Sequence, residues 1–495
     1  MNVFKRNSVH MAVLAGLGAM GVAGTASAVH VNPDGLGQVL IYPYYTVRNA
    51  ATSIAAGQYN TYLSVTNSTA SYKAVKVRIM EGKNSREVLD FNLFLSPNDV
   101  WTASIEPVSS TASDGAKIVT ADGSCTWGNI KSTGSTGVAF SNLAYSGTNV
   151  DQATMATLDR TNEGYVEIME MGDINTAAGL GASLRTAVLH VNGVAPCTAA
   201  TLSAADTANL VGYLSAPTGG LFGGATLINT ATGVDYAYDA VALDNWANTV
   251  GGLGSQSTSL TPNISSGNIL TSDVFTAGAV QNATWLTSRE AVSAALMRSN
   301  VMNEYVLDAG TVSTTDWVVT FPTKRFYVAP GSGLTATIPT AAGRLFNANF
   351  GTTGSCDPIE VALRDREEQL DTTVSSGFSP AVGPSGFSLC WEANVVTFGH
   401  ATFTSGTATP VLGSTNSAGF TVPAAWENGW LNMAFDTAAT TPALTPVAGL
   451  THYGLPVVGF MVQDFTNSTI VTGPGAAAGA VHGGQFVHKY LRDIR

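Results

Sequence analysis

A chain of 495 residues with a formal net charge of -12 and only 11% charged residues exceeds what one small core organises, and its acidity argues against nucleic acid or anionic lipid as a partner. Its four cysteines, Cys125, Cys197, Cys356 and Cys390, all lie beyond residue 28, which fits an oxidising compartment where thiols pair. None stands in a CxxC or Cys/His spacing, so the pattern favours stapled loops over a zinc site.

The first 28 residues read as a secretory leader: Lys5 and Arg6 supply the positive end, an apolar run covers residues 9–22, and Ala26-Ser27-Ala28 fits a cleavage site. Loss of Lys5 and Arg6 takes the formal charge to about -14. GLGAMG, residues 16–21, matches the dinucleotide-binding letters but lies inside this leader with no strand before it. Later in the chain no run of about 18 apolar residues offers a transmembrane helix. The expected address is outside the inner membrane: secreted, at the cell surface, outer-membrane-associated or periplasmic.

Residues 38–47 are a β-rich run after the turn Asn32-Pro33-Asp34-Gly35. Tyr59, Thr61, Leu63 and Val65 alternate with polar residues, then Val75, Val77 and Ile79 alternate with Lys76 and Arg78, and Leu89, Phe91, Leu93 and Leu95 enclose Asp90 and Asn92. Period two over successive short segments predicts a half-buried antiparallel sheet. Seven charged residues crowd positions 78–101, and on a hairpin they sort onto one solvated face and its turn, where each cross-strand pair contributes roughly 0.2–1 kcal/mol. Residues 109–164 and 198–232 are Ser/Thr/Gly-rich and read as loop insertions, with EGYVEIMEMGD, residues 163–173, a strand between them.

Composition places a linker at 251–270, between a β-rich domain at 29–250 and another at 271–495. Thr287-Ser288-Arg289-Glu290 is a capping box that opens a helix near 287–303. Residues 315–328 form a strand interrupted by Pro322, hence an edge strand. A second short helix is expected over 359–370, where Glu360, Arg364 and Glu368 pair at i,i+4. WLNMAFD and GLPVVGFMVQDFTNSTIV return to β character, and the Thr-Asn-Ser-Thr of the latter echoes that of LSVTNSTAS.

Four cysteines allow three connectivities; Cys125–Cys197 with Cys356–Cys390 is favoured because each pair closes a Gly/Ser/Thr-rich excursion. Asp235, Asp239 and Asp244 stand near Tyr236, Tyr238 and Trp246, a mixture that suits a calcium loop or a sugar platform. Calcium is the only cofactor the sequence brings forward. His482 and His488 make half a metal site and lack a third ligand in local spacing. No serine-hydrolase, zincin, Walker or EF-hand pattern occurs after the leader. Asn67, Asn263, Asn282 and Asn467 sit in Asn-x-Ser/Thr patterns.

NSREVLDFNLFLSPNDVW, NEYVLDAGTVSTTDWVVTFPTKRFYV and GLPVVGFMVQDFTN resemble segments of a group of secreted proteobacterial proteins known as hypothetical or cell-surface proteins. The resemblance implies location and a β-rich form and brings no catalytic residues. The reading as a whole is an Ig-like antiparallel β-sandwich scaffold with long insertions and one or two helices, carrying a non-enzymatic, surface-layer-like or adhesive structural role. Its partners would be further copies of itself or cell-envelope components. The alternative is a carbohydrate-binding or carbohydrate-processing protein using Trp246, Trp317, Trp426 and Trp430 as platforms for glycans. An outer-membrane barrel fits poorly with the charged ending Leu491-Arg492-Asp493-Ile494-Arg495.

Overall fold

The computed structural model describes residues 27–48, 59–131, 137–176, 178–328, 345–346, 350–371, 387–436, 441–467 and 480–495. The expected leader lies outside them except for its last two residues. The described chain is mainly β, of sandwich type with long insertions, as the period-two runs require.

In chain order the principal strands of the N-terminal part are β1 (Val39–Thr46), β2 (Tyr59–Asn67), β3 (Lys73–Glu81), β4 (Glu87–Leu95), β5 (Val100–Pro107) and β6 (Glu163–Ile174), followed by the helices α1 (Leu180–Val188) and α2 (Ala199–Thr207). Then come β7 (Leu221–Asn229), β8 (Asp235–Asp239) and β9 (Val241–Asp244). The helix α3 (Ser288–Leu296) leads to β10 (Asn300–Val306), β11 (Thr314–Thr320), β12 (Glu360–Asp365), β13 (Ala393–Gly399), β14 (Ser417–Thr421) and β15 (Asn428–Ala434). The chain ends in β16 (Val458–Asn467), β17 (Ala480–Val487) and β18 (Lys489–Leu491).

Four sheets organise the molecule. The first runs His30–Val31, β9, β1, β6, β3, β4 and Cys125–Gly128, and the second runs β8, β7, β2, β5, Ala116–Val119 and Gly137–Ala139. Leu40, Val77, Phe91 and Ile168 of the first face Leu63, Trp101, Ile105 and Leu227 of the second across one core. The third sheet, β14-β13-β11-β16-β17, is antiparallel except where β13 and β14 pair in parallel. Its alternation feeds two cores at once. Val318, Val395 and Phe460 join the core just described, while Trp317, Val396 and Met461 enter a second, closed by Tyr305, Leu363, Leu431 and Met433 of the fourth sheet, β12-β15-β10-β18.

Several expectations hold because they are local. The β3–β4 hairpin is in place, with Arg78 opposite Asp90 and Lys76 opposite Asn92. The capping box forms: Glu290 N–H donates to Thr287 Oγ1 at 3.3 Å and Thr287 N–H donates to Glu290 Oε2 at 3.1 Å. The helix stops at Leu296, and β10 takes over at residue 300.

Others are overturned by partners distant in sequence. The outer face of the hairpin is not solvated: Lys76, Arg78, Asp90 and Asn92 are all buried. Residues 255–257 lie across it, with Lys76 Nζ donating to the Gln256 and Ser257 carbonyls at 3.1 and 2.8 Å and Asn92 Nδ2 to that of Ser255 at 3.1 Å. The stretch read as a linker also buries Leu253, Ile264 and Ile269 in the second core. Residues 359–370 form no helix. β12 pairs instead with β15 in full register and buries Leu363, which outweighs i,i+4 ion pairs worth about 0.2–0.5 kcal/mol each. β11 is central rather than an edge, because it ends at Thr320 and Pro322 falls outside it. Within 198–232, expected as loop, α2 and β7 are regular, and β7 pairs with β2 over nine positions.

Candidate functional site

The charge-dense hairpin turn folds around its own first acid. Glu81 accepts the backbone N–H groups of Lys83, Asn84 and Arg86 at 2.7, 2.9 and 2.8 Å, so the turn is a small nest with a carboxylate at its centre. Arg160, on the short 3₁₀ segment Leu158–Asn162, then clamps Glu81 through Nε and Nη2 at 2.7 and 2.9 Å. The same guanidinium reaches both Asp151 oxygens, at 2.8 Å from Nη1 and 2.7 Å from Nη2, and stacks over the Tyr145 ring with 4.3 Å to its centroid. Burial alone would raise the Asp151 carboxyl, but its bonds to Arg160 bring it below the ordinary value.

A second buried acid joins the two halves of the chain. Glu163, at the head of β6, accepts from Arg48 Nε at 2.6 Å, Tyr44 Oη at 2.9 Å, Ser414 Oγ at 2.5 Å and Thr415 N–H at 3.1 Å. Burial pushes this carboxyl up, but Arg48 and the Ser414 and Tyr44 hydroxyls hold it below the ordinary carboxylate range. Next along β6, Glu167 receives Arg325 Nη2 on both oxygens at 2.9 Å and has Arg78 Nη1 at 3.7 Å. Arg78 Nε in turn holds Glu87 at 2.5 Å, and Lys76 Nζ holds Asp90 at 2.5 Å.

Above this row opens a cleft of about 870 Å³, built from the hairpin, Asn129, residues 138–149, residues 258–263 and residues 325–328. Arg78, Glu87, Asp90 and Arg325 lie in its polar wall; Val138, Leu260 and Phe326 are apolar. A concave surface with convergent charged groups is the natural place for a ligand. Sequence reading missed it because Arg160, Glu167 and Arg325 are remote from the hairpin. For Glu167 the one signal is charge inside an apolar strand run, as in EGYVEIMEM; Arg160 and Arg325 carry none.

The residues singled out in sequence are otherwise dispersed. Asp235 and Asp239 project into solvent from opposite ends of β8, opposite Ile228 and Gly224, while Tyr236 and Tyr238 point into the core, Tyr238 stacking on Phe460 at 4.6 Å. Asp244 ends β9 opposite His30, and Trp246 is fully buried, its Nε1–H donating to the Ile264 carbonyl at 2.9 Å. No calcium loop is assembled from them: among the described residues no group of three or more His, Cys, Asp and Glu side chains is placed to hold a metal ion. Trp317 is likewise buried; of the four tryptophans only Trp426 and Trp430 reach the surface. His482 is exposed, whereas His488 is buried and satisfied on both nitrogens, Nε2 to the Val318 carbonyl at 2.9 Å and Nδ1 to Asn303 at 3.2 Å. Burial pushes its ring down to about 4, so it is neutral at pH 7. Asn67 spends its amide on the Ser71 and Ser96 carbonyls inside the fold. The cysteines pair as favoured, Cys125 with Cys197 and Cys356 with Cys390. No family model, no curated protein and no solved structure matches the chain.

Two outcomes follow for stability. Arg160→Met removes the clamp from buried Glu81 and leaves Asp151 only Arg86 as a cation, at 3.5 Å, and should cost roughly 3–5 kcal/mol in urea denaturation; adding Glu81→Gln and Asp151→Asn should recover part of that loss. Glu392 carries the pH dependence: burial pushes its carboxyl up to about 8, Lys324 and Arg325 only partly opposing this. A carboxyl raised in the folded state favours folding while protonated, so its contribution is intact below the ordinary carboxylate range and is lost as pH climbs through about 8. The other buried acids raised in the same way, Glu170 to about 7 and Asp90, Asp316 and Asp464 to about 6, have largely titrated before then. Between roughly pH 7.5 and 9 the wild-type melting temperature should therefore fall while that of Glu392→Gln stays level.

Proposed function

We propose that this is an exported, non-enzymatic structural protein of the cell exterior, which associates with further copies of itself and with envelope components through its edge strands. The disulfides Cys125–Cys197 and Cys356–Cys390 are consistent with an oxidising, exported location. Among the described residues no helix is long and apolar enough to cross a membrane. Within that setting the cell surface, the outer membrane and the periplasm are the compartments proposed.

The observation that carries the reading is the C-terminal edge. Among the described residues β17 closes the third sheet and β18 the fourth, each with a ladder partner on one side only. β17 overhangs both cores. Val487 stands opposite Phe460 and Phe486 opposite Met461, residues that point into different cores, yet Phe486 is 54% and Val487 63% exposed. Tyr490 and Leu491 of β18 continue the apolar surface at 48% and 51%. An unpaired edge with exposed apolar residues on both faces is what strand addition uses. Such edges are ordinarily blunted by charge or proline, and among residues 480–487 there is neither.

Purified protein should sediment as concentration-dependent assemblies. Phe486→Lys with Val487→Lys should raise the concentration at half-association by at least about tenfold without changing the melting temperature. Wild-type protein that stays monomeric over that whole range, or turns over a polysaccharide, contradicts the reading.

A further inference from the structure

We infer that the cleft above the β3–β4 hairpin binds an acidic saccharide, a uronate unit whose carboxylate is received by Arg78 and Arg325. This site is separate from the β17–β18 edge and does not rest on self-association.

The balance of donors and acceptors selects the charge of the ligand. The three carboxylates of the wall and the row beneath it that face these cations are engaged: Glu87 has Arg78 at 2.5 Å, Asp90 has Lys76 at 2.5 Å and Glu167 has Arg325 at 2.9 Å. The spare donors lie on the guanidiniums. Arg78 Nη1, Arg325 Nε and Arg325 Nη1 are buried and have no hydrogen-bond partner. Arg78 is only 4% exposed, so water does not compensate it, and a buried donor left unbonded is costly. A ligand that brings acceptors relieves this, and a planar oxyanion matches the guanidinium fork best. A neutral polyol also needs acceptors for its own hydroxyls, and the carboxylates here are engaged.

Geometry puts the two guanidiniums within reach of one ligand group, since both converge on Glu167: Arg325 Nη2 lies 2.9 Å from each of its oxygens and Arg78 Nη1 lies 3.7 Å from one. Salt bridges on both sides fix the two side chains before a ligand arrives, which limits the ordering cost of binding. The remainder of the wall is too large and too mixed for a bare inorganic anion. The open cleft measures about 870 Å³, with the half-buried Phe326 ring and exposed Leu260 for the C–H face of a sugar.

Isothermal titration of the full mature protein with trigalacturonate, galactotriose and inorganic sulfate at matched ionic strength tests this. Trigalacturonate should bind at least about tenfold more tightly than either of the others. Arg325→Lys, which keeps a cation on Glu167 but removes the fork, should weaken it about tenfold. Phe326→Ala, at a half-buried uncharged position, should weaken it several-fold and carries the mutational arm should Arg325→Lys lower the melting temperature. Equal affinity for the three probes, tighter binding of sulfate, no heat with trigalacturonate up to about 10 mM, or full affinity in both variants would overturn the assignment.

Discussion

A guanidinium with two carboxylates, sealed from water, sets the form of this molecule. Arg160, Glu81 and Asp151 are each at most 2% exposed, in a chain where only 11% of residues are charged. Desolvating such groups is expensive, and the cost is met only when every lone pair and N–H finds a partner. That requirement determines local structure: the 82–86 turn must aim three amides at Glu81, the 109–162 insertion must return to deliver Asp151 and Arg160, and Tyr145 must cover the guanidinium face. A network of this kind adds less to stability than to uniqueness, because any shifted pairing strands a charge.

The same logic ties the chain's distant parts together. Glu163 receives Arg48 from the N-terminal part and Ser414 and Thr415 from the C-terminal part, and Glu167 receives Arg78 and Arg325 likewise. Bonds to backbone carbonyls run alongside, from Ala393 N–H to that of Gly82 at 2.8 Å and from Thr320 Oγ1 to that of Pro43 at 2.7 Å. Because the third sheet gives one face to each core, loosening either core exposes apolar side chains of the other. The cleft is a consequence of this construction: it opens where four segments meet above the ion row, with donors left over at its wall.

How much of this was legible in the sequence depended on range. Strand alternation at 59–66, 75–79 and 89–95 and the capping box at Thr287 are local, and both appear as read. The other face of β3 was not legible, because what covers it lies about 180 residues on, in a stretch whose Gly/Ser composition reads as linker. Residues 359–370 misled for a related reason: Glu360, Arg364 and Glu368 have helical spacing, but the strand that pairs with them is near residue 431. The aspartates at 235, 239 and 244 were close in sequence but are held apart, the first two at opposite ends of β8 and the third on β9 in the other sheet, while Arg78 and Arg325 were remote and converge on Glu167. Composition flagged the hairpin as unusual; only the fold shows that its charges face inward.

Hydrogen exchange at the hairpin turn tests the central claim most directly. Amides at the tip of an ordinary exposed turn exchange through local fluctuation, orders of magnitude faster than core strands. If Glu81 and Arg160 form the buried hub described here, the N–H groups of Lys83, Asn84 and Arg86 exchange only with global unfolding, as slowly as those of β6, and Glu81→Gln releases them without releasing the second core. Turn amides that exchange freely in the wild-type protein, or that keep their protection in Glu81→Gln, would contradict it.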